Sequence, residues 1–141
     1  MTIEKIEHNG KIFALIIRSK LEIDGVNFFT PKDYPFQIGL LKHKKGYEIK
    51  PHIHKPSNKI INGVQEVLHI EYGKVEVYFY SDNGEKIASN ILNTGDTILL
   101  ITGGHGFKIK EDSKIIEVKQ GPYQGFEKDK EHLEVKNDSS M

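Results

Sequence analysis

The chain has 141 residues, a length typical of one folded domain. Its 20 basic and 20 acidic side chains give a formal net charge of +0, which argues against a nucleic-acid partner or an anionic membrane surface. The chain has no cysteine, so disulfides, thiolate zinc sites and cysteine nucleophiles are excluded. Seven histidines, together with aspartate and glutamate, are the available metal ligands.

The location and the anion-binding capacity of the protein are also limited by the sequence. The apolar runs are much shorter than the ~20 residues of a membrane span, and the N-terminus lacks the pattern of a secretory signal. We therefore expect a cytoplasmic protein without membrane contact. Arg18 is the single arginine, so two guanidinium groups of one chain cannot clamp an anion.

Short apolar or alternating runs follow one another along the chain, and no long window has a helical period. Turn signals such as Asn62-Gly63 predict antiparallel hairpins, one of them turning at residues 111–113. The pattern predicts an all-β sandwich or small barrel. Its strands are expected at residues 11–18, 36–43, 47–54, 64–72, 74–80, 86–92, 97–101, 105–110 and 114–120.

The two ends of the chain have different compositions. The run at residues 12–17 is apolar on both faces, more than a one-sided strand needs. We therefore expect the N-terminal segment, residues 2–18, to cover an exposed sheet edge or to exchange with a partner in a homodimer. Residues 124–141 are charged and almost free of large apolar groups, which predicts a frayed tail or a short docked helix. Residues 1–123 are expected to form the domain.

Two histidines and one glutamate are candidate metal ligands because of their positions on predicted strands. His52 and His54 are two residues apart, so both imidazoles lie on one face. Glu66 shares a face with Leu68 and Ile70, and a glutamate on an apolar face is costly unless it is paired or bound to a cation. Taken singly, each position also has an ordinary structural explanation, as a surface histidine or a lysine-paired glutamate.

His105 completes the candidate set. It shares a face with Phe107 and Ile109, which is also the pattern of a hydrogen-bonded core histidine. Together, three imidazoles and one carboxylate from different strands are a common ligand set for first-row metals. The predicted hairpin at residues 111–113 places Gln120 near His105, so Gln120 and Phe107 are candidate pocket residues, and Tyr78 is a third. The same pairing predicts that Glu117 and Lys119 point away from the site.

The spacing of these residues resembles the cupin family. Five residues lie between Gly46 and His52-Ile53-His54, and six lie between Glu66 and Gly73, similar to the first cupin motif (residues 46–73). Residues 95–107, which open with Gly-Asp and contain His105, are similar to the second. The resemblance covers residues 36–120 and implies a jelly-roll barrel, or double-stranded β-helix. It also implies that His52, His54, Glu66 and His105 bind one divalent metal ion.

The resemblance has two departures and leaves the activity open. Eleven residues separate His54 from Glu66, where cupins have three or four, so Glu71 is an alternative ligand and residues 55–65 could form a flap. The second motif lacks its usual proline. The ligand set suits Fe, Mn, Ni or Zn. The implied function is an enzyme acting on a small polar metabolite such as a sugar or nucleotide-sugar, of isomerase or epimerase type. An Fe(II)-dependent dioxygenase and a non-catalytic binding protein are the alternatives.

Overall fold

The computed structural model describes residues 2–136, and the protein is almost entirely β, with 47% strand and 3% helix. The prediction of an all-β chain is confirmed. In chain order the elements are β1 (Glu4–His8), β2 (Lys11–Ile17), β3 (Gly25–Phe28), β4 (Gly39–Lys42), β5 (Glu66–Tyr80), β6 (Lys86–Asn93), β7 (Thr97–Leu100), β8 (Gly104–Lys119) and α1 (Phe126–Asp129).

The main sheet is antiparallel, and β5 is its central strand. The order is β1-β2-β7-β5-β6, and β8 pairs with β5 on its other edge. The first part of β5 pairs with β7 and the second part with β6, while β8 follows β5 along its whole length. This sheet is strongly curled into a half-barrel. The strands β3 and β4 form a separate two-stranded sheet.

The core fills the concave side of the curled sheet. Alternate residues of β5 point inward, and register irregularities between Ile70 and Val75 keep the apolar side chains of both halves on that side. On β2, every residue from Phe13 to Ile17 is buried, because β2 lies between β1 and β7. The apolar run at residues 12–17 is therefore covered within the chain, which removes that run as an argument for a homodimer.

The predicted hairpin at residues 111–113 is wrong, and the predicted strand at residues 47–54 is absent. Residues 105–110 and 114–120 lie mostly in one strand, β8, because β8 stays paired with β5 instead of folding back on itself. Residues 111–113 form a bulge within β8, where Ser113 Oγ accepts a hydrogen bond from the Lys74 amide at 3.1 Å. Residues 43–65 contain no strand.

The start of β7 is fixed by a buried aspartate. The Asp96 carboxylate accepts hydrogen bonds from the Asn93 amide at 2.8 Å, the Ser19 amide at 2.9 Å and Arg18 Nη1 at 2.9 Å. Arg18 also pairs with Glu4 at 2.7 Å. The Gly-Asp pair that opens residues 95–107 is thus a structural turn tied to β2.

The segment after β8 returns to the sheet. It contains the short helix α1, and Asp129 at the end of this helix lies 3.5 Å from Lys119 Nζ. Further along, the Lys136 amide donates a hydrogen bond to the Gly84 carbonyl at 3.1 Å. Residues 137–141, the end of the predicted tail, lie outside the described residues. In the described part of the chain, no helix is long and apolar enough to cross a membrane.

Candidate functional site

The curl of the sheet brings the two ends of the β5–β8 pair together. Glu66, at the start of β5, is opposite Lys119, whereas His105 is opposite Phe79 near the other end of β5. Glu66 Oε1 nevertheless lies 3.5 Å from His105 Nε2. Phe79, the β5 residue that pairs with His105, is thirteen positions after Glu66 in the sequence. The Glu66–His105 contact therefore arises from the curvature of the sheet and not from strand pairing.

Glu66 and His105 lie in a cleft of about 650 Å³ on the concave side. Its apolar part comes from β5 and β8, and one wall comes from the C-terminal segment at residues 129–133. The lining residues are Val64, Glu66, Leu68, Gly103, Gly104, His105, Phe107, Ile115, Glu117, Asp129, Lys130, Glu131, His132 and Leu133.

The C-terminal wall is held against the strand that carries His105. Leu133 packs so closely on Gly104 that a Cβ at position 104 would lie 2.6 Å from its Cδ2. The ring of His132 meets that of Phe126 edge-on, with centroids 5.3 Å apart. The Leu133–Gly104 contact therefore holds this wall against β8, and the His132–Phe126 contact packs the C-terminal segment on itself.

Two carboxyl groups, those of Glu66 and Glu117, are in contact inside the cleft, and their pKa values are shifted in opposite directions. The hydrogen bond with His105 is the main reason why the pKa of Glu66 falls to about 2, against the opposing effect of burial. Glu117 is also hydrogen-bonded to Glu66, and this contact, burial and the charge of Glu66 raise the pKa of Glu117. Near neutral pH Glu66 is therefore ionised, and Glu117 is the member of the pair that holds a proton more readily.

Glu117 is a site residue that the sequence prediction missed. The expected hairpin at residues 111–113 turned it away from the site, but in the continuous strand it is opposite Leu68, on the inward side of β5. Ile115, opposite Ile70, packs against the core. The signal was present in the sequence, because reading residues 104–119 as one strand puts positions 105, 107, 115 and 117 on one face.

The structure does not bring His52 and His54 to Glu66 and His105. Both lie exposed on residues 43–65, with ring centroids 5.3 Å apart and His52 Nδ1 2.8 Å from the Lys50 carbonyl oxygen. Among residues 2–136, no three His, Asp or Glu side chains form a group that could hold a metal ion. Of the four predicted ligands, Glu66 and His105 thus lie together in the cleft, and His52 and His54 do not. Glu71, the alternative ligand, is exposed and lies 4.0 Å from His69 Nε2.

Of the three predicted pocket residues, only Phe107 lines the cleft. The Gln120 side chain instead accepts a hydrogen bond from the Gln65 amide at 2.7 Å, because Gln120 follows directly after β8 and this strand does not fold back beside His105. Val77 and Phe79 point inward from β5, whereas Tyr78 points to the other face of this strand. The Tyr78 hydroxyl donates a hydrogen bond to Glu76 at 3.1 Å. Both predictions are therefore corrected.

No protein-family model, curated protein or solved structure matches this chain. The concave cleft and its side chains are therefore the features of the chain that bear on function.

Proposed function

We propose that this protein is a metal-binding, cupin-type enzyme that acts on a small polar metabolite of the carbohydrate kind by isomerase or epimerase chemistry. The observation that carries the proposal is the contact of Glu66 with His105 inside the cleft. A small-molecule site is typically a concave, partly apolar cavity with a few convergent polar groups, as here. The cleft volume also lies in the usual range of such sites.

The chemistry of the Glu66–His105 pair fits a divalent metal ion. A carboxylate oxygen and an imidazole nitrogen suit Fe, Mn, Ni and Zn. Glu66 is ionised over the physiological pH range, so it can bind a cation without first losing a proton. The side chain of Glu66 is 18% exposed and that of His105 is 30% exposed, so the pair is partly shielded from water yet accessible.

His52 and His54 would supply the remaining ligands. Gln65, at the end of residues 43–65, is buried and held by Gln120, and its side-chain oxygen accepts a hydrogen bond from the Phe36 amide at 3.4 Å. The eleven residues from 55 to 65 span up to about 36 Å when extended. This length allows the exposed histidines to reach the cleft while Gln65 stays in place.

The residues of the cleft also suit proton transfer, the central step of isomerases and epimerases. Glu117 is the candidate group for exchanging a proton with the substrate, because its contact with Glu66 and its burial raise its pKa. Glu66, with a pKa of about 2, is a weak base and serves as the metal ligand. A bound metal would polarise a substrate oxygen and stabilise the negative charge that develops on it. The cleft would hold the substrate beside both carboxyl groups and limit the access of water.

Metal analysis of the purified protein tests this proposal. We expect bound divalent metal in the wild type and its loss in the double variant His52→Ala, His105→Ala. A matched double variant, His8→Ala, His43→Ala, changes two histidines outside the candidate set and should keep the metal. Equal metal content in all three proteins would overturn the proposed site.

We also propose that the protein forms a homodimer. The free edge of β8 supports this proposal, because β8 pairs only with β5 among the described strands and side chains such as Ile116 and Val118 are exposed along it. Light scattering coupled to size-exclusion chromatography should give twice the mass of the chain at micromolar concentration. A monomer there would contradict the proposal.

A further inference from the structure

The charged side chains that line the cleft are mainly acidic. Lys130 is the one lysine among the lining residues, against the carboxyl groups of Glu66, Glu117, Asp129 and Glu131. Lys119 is nearby, but its ammonium group lies 3.5 Å from Asp129. In the metal-free protein, an anionic group that entered the cleft would therefore meet an excess of like charge.

The single arginine cannot offset this charge. Arg18 Nε lies 2.7 Å from Glu4, and Nη1 donates to Asp96 at 2.9 Å and to the Ile91 carbonyl at 2.6 Å. Its neighbours are the first residues after β2 and the turn before β7, whereas the cleft is lined by other residues. The guanidinium group, which is the group best suited to bind a phosphate, is thus occupied by contacts that stabilise the fold.

The remaining surface of the cleft suits a ring with many hydroxyl groups. Leu68, Ile115 and Leu133 provide apolar contact, and the partly exposed ring of Phe107 can stack on the C–H face of a sugar. Carboxylate oxygens are strong acceptors for hydroxyl donors. The carboxylates would also favour an ammonium substituent on the ring.

From these three observations we infer that the cleft takes a hydroxyl-rich ligand without a phosphate group, a free sugar or an amino sugar, and discriminates against phosphorylated and nucleotide-linked sugars. The inference rests on the proposed function and narrows its substrate class. It assigns Glu131, on the C-terminal wall, as a residue that excludes anionic ligands.

Titration calorimetry of the full chain, freed of metal with EDTA, tests this inference, using glucose, glucosamine and glucose 6-phosphate as probes. We expect glucose 6-phosphate to bind about tenfold more weakly than glucose, and glucosamine to bind at least as tightly as glucose. The charge reversal Glu131→Lys should remove most of the discrimination. Glu7→Lys makes the same change at an exposed position on β1 and should leave the discrimination intact.

The outcomes separate this inference from the proposed function. Equal or tighter binding of glucose 6-phosphate in the wild type would overturn the inference while the metal site stands. The inference would also be overturned if no probe binds a protein that does bind Zn²⁺. It would likewise be overturned if Glu131→Lys and Glu7→Lys change the discrimination between the probes equally. A wild-type protein that does not bind divalent metal would instead overturn the proposed function.

Discussion

The strand β5 and residues 43–65 have similar apolar spacing and opposite environments. On β5, Leu68 and Ile70 alternate with polar residues and are buried, since β7 and β8 flank them. In the other segment Ile53 and Ile60 are 90% and 93% exposed, and no strand forms. The comparison shows that apolar and polar residues in alternation predict which face a strand would bury. Whether the strand forms depends on a neighbouring strand to pair with.

This difference in environment separates the four predicted metal ligands into two pairs. Glu66 and His105 lie on paired strands, so the sheet fixes their positions before any ligand binds. His52 and His54 lie on the unpaired segment, so their positions depend on where that segment packs. A ligand set built in this way would assemble on metal binding, and part of the binding free energy would order the segment.

The largest effect expected from this comparison is on stability. Phe79 is fully buried in the core, so Phe79→Ala should lower the free energy of unfolding by about 3–5 kcal/mol. Ile60→Ala removes an exposed side chain and should change it by less than about 0.5 kcal/mol. Urea unfolding measures both. A comparable loss for Ile60→Ala would show that the segment is packed in solution.

A smaller effect is expected at the turn that fixes β7. Asp96→Ala leaves Arg18 with one carboxylate partner and two backbone amides without an acceptor, so the free energy of unfolding should fall by about 3 kcal/mol. Glu4→Ala removes the more exposed partner of the same arginine and should cost no more than about 1 kcal/mol. Similar losses in the two variants would contradict the central role of Asp96.

The sequence predicted the features that depend on local pattern, namely the all-β class, most strand positions and the inward faces of Glu66 and His105. It did not predict whether a turn signal ends a strand. Residues 111–113 favour a hairpin, but pairing of β8 with β5 on both sides of them outweighs that local preference. The error placed Glu117 on the wrong face and Gln120 in the pocket.

The Glu66–His105 contact could not be derived from the strands alone. Alternation gives the face of each residue, but the distance between residues at opposite ends of a strand pair depends on how far the sheet curls. The cupin resemblance predicted that the two residues converge, whereas the strand pattern did not. The contribution of the C-terminal segment to the cleft had no sequence signal beyond the possibility of a short docked helix.

The pKa of Glu66 tests which histidines contact the cleft. The value of about 2 means that ionised Glu66 stabilises the fold above pH 4.5, and that this contribution is lost as the pH falls from 4.5 toward 2. His105→Ala removes the main cause, so the pKa should rise toward 4.5, as measured by carbon-detected NMR of the carboxyl group. His54→Ala should leave the value unchanged in metal-free protein. A rise in that variant would show that the segment already contacts Glu66.

The smallest expected effect concerns the ordering of residues 43–65 by metal. Trypsin should cut after Lys59, since Ile60 follows it and both are exposed, whereas Lys50 and Lys55 precede prolines. If His52 and His54 bind a metal together with Glu66 and His105, Zn²⁺ should slow this cleavage by about threefold or more, because an ordered segment fits a protease poorly. The variant His52→Ala, His54→Ala should be cut at the same rate with and without Zn²⁺. Protection that persists in this variant would mean that Zn²⁺ acts elsewhere, and the segment would then have no part in the site.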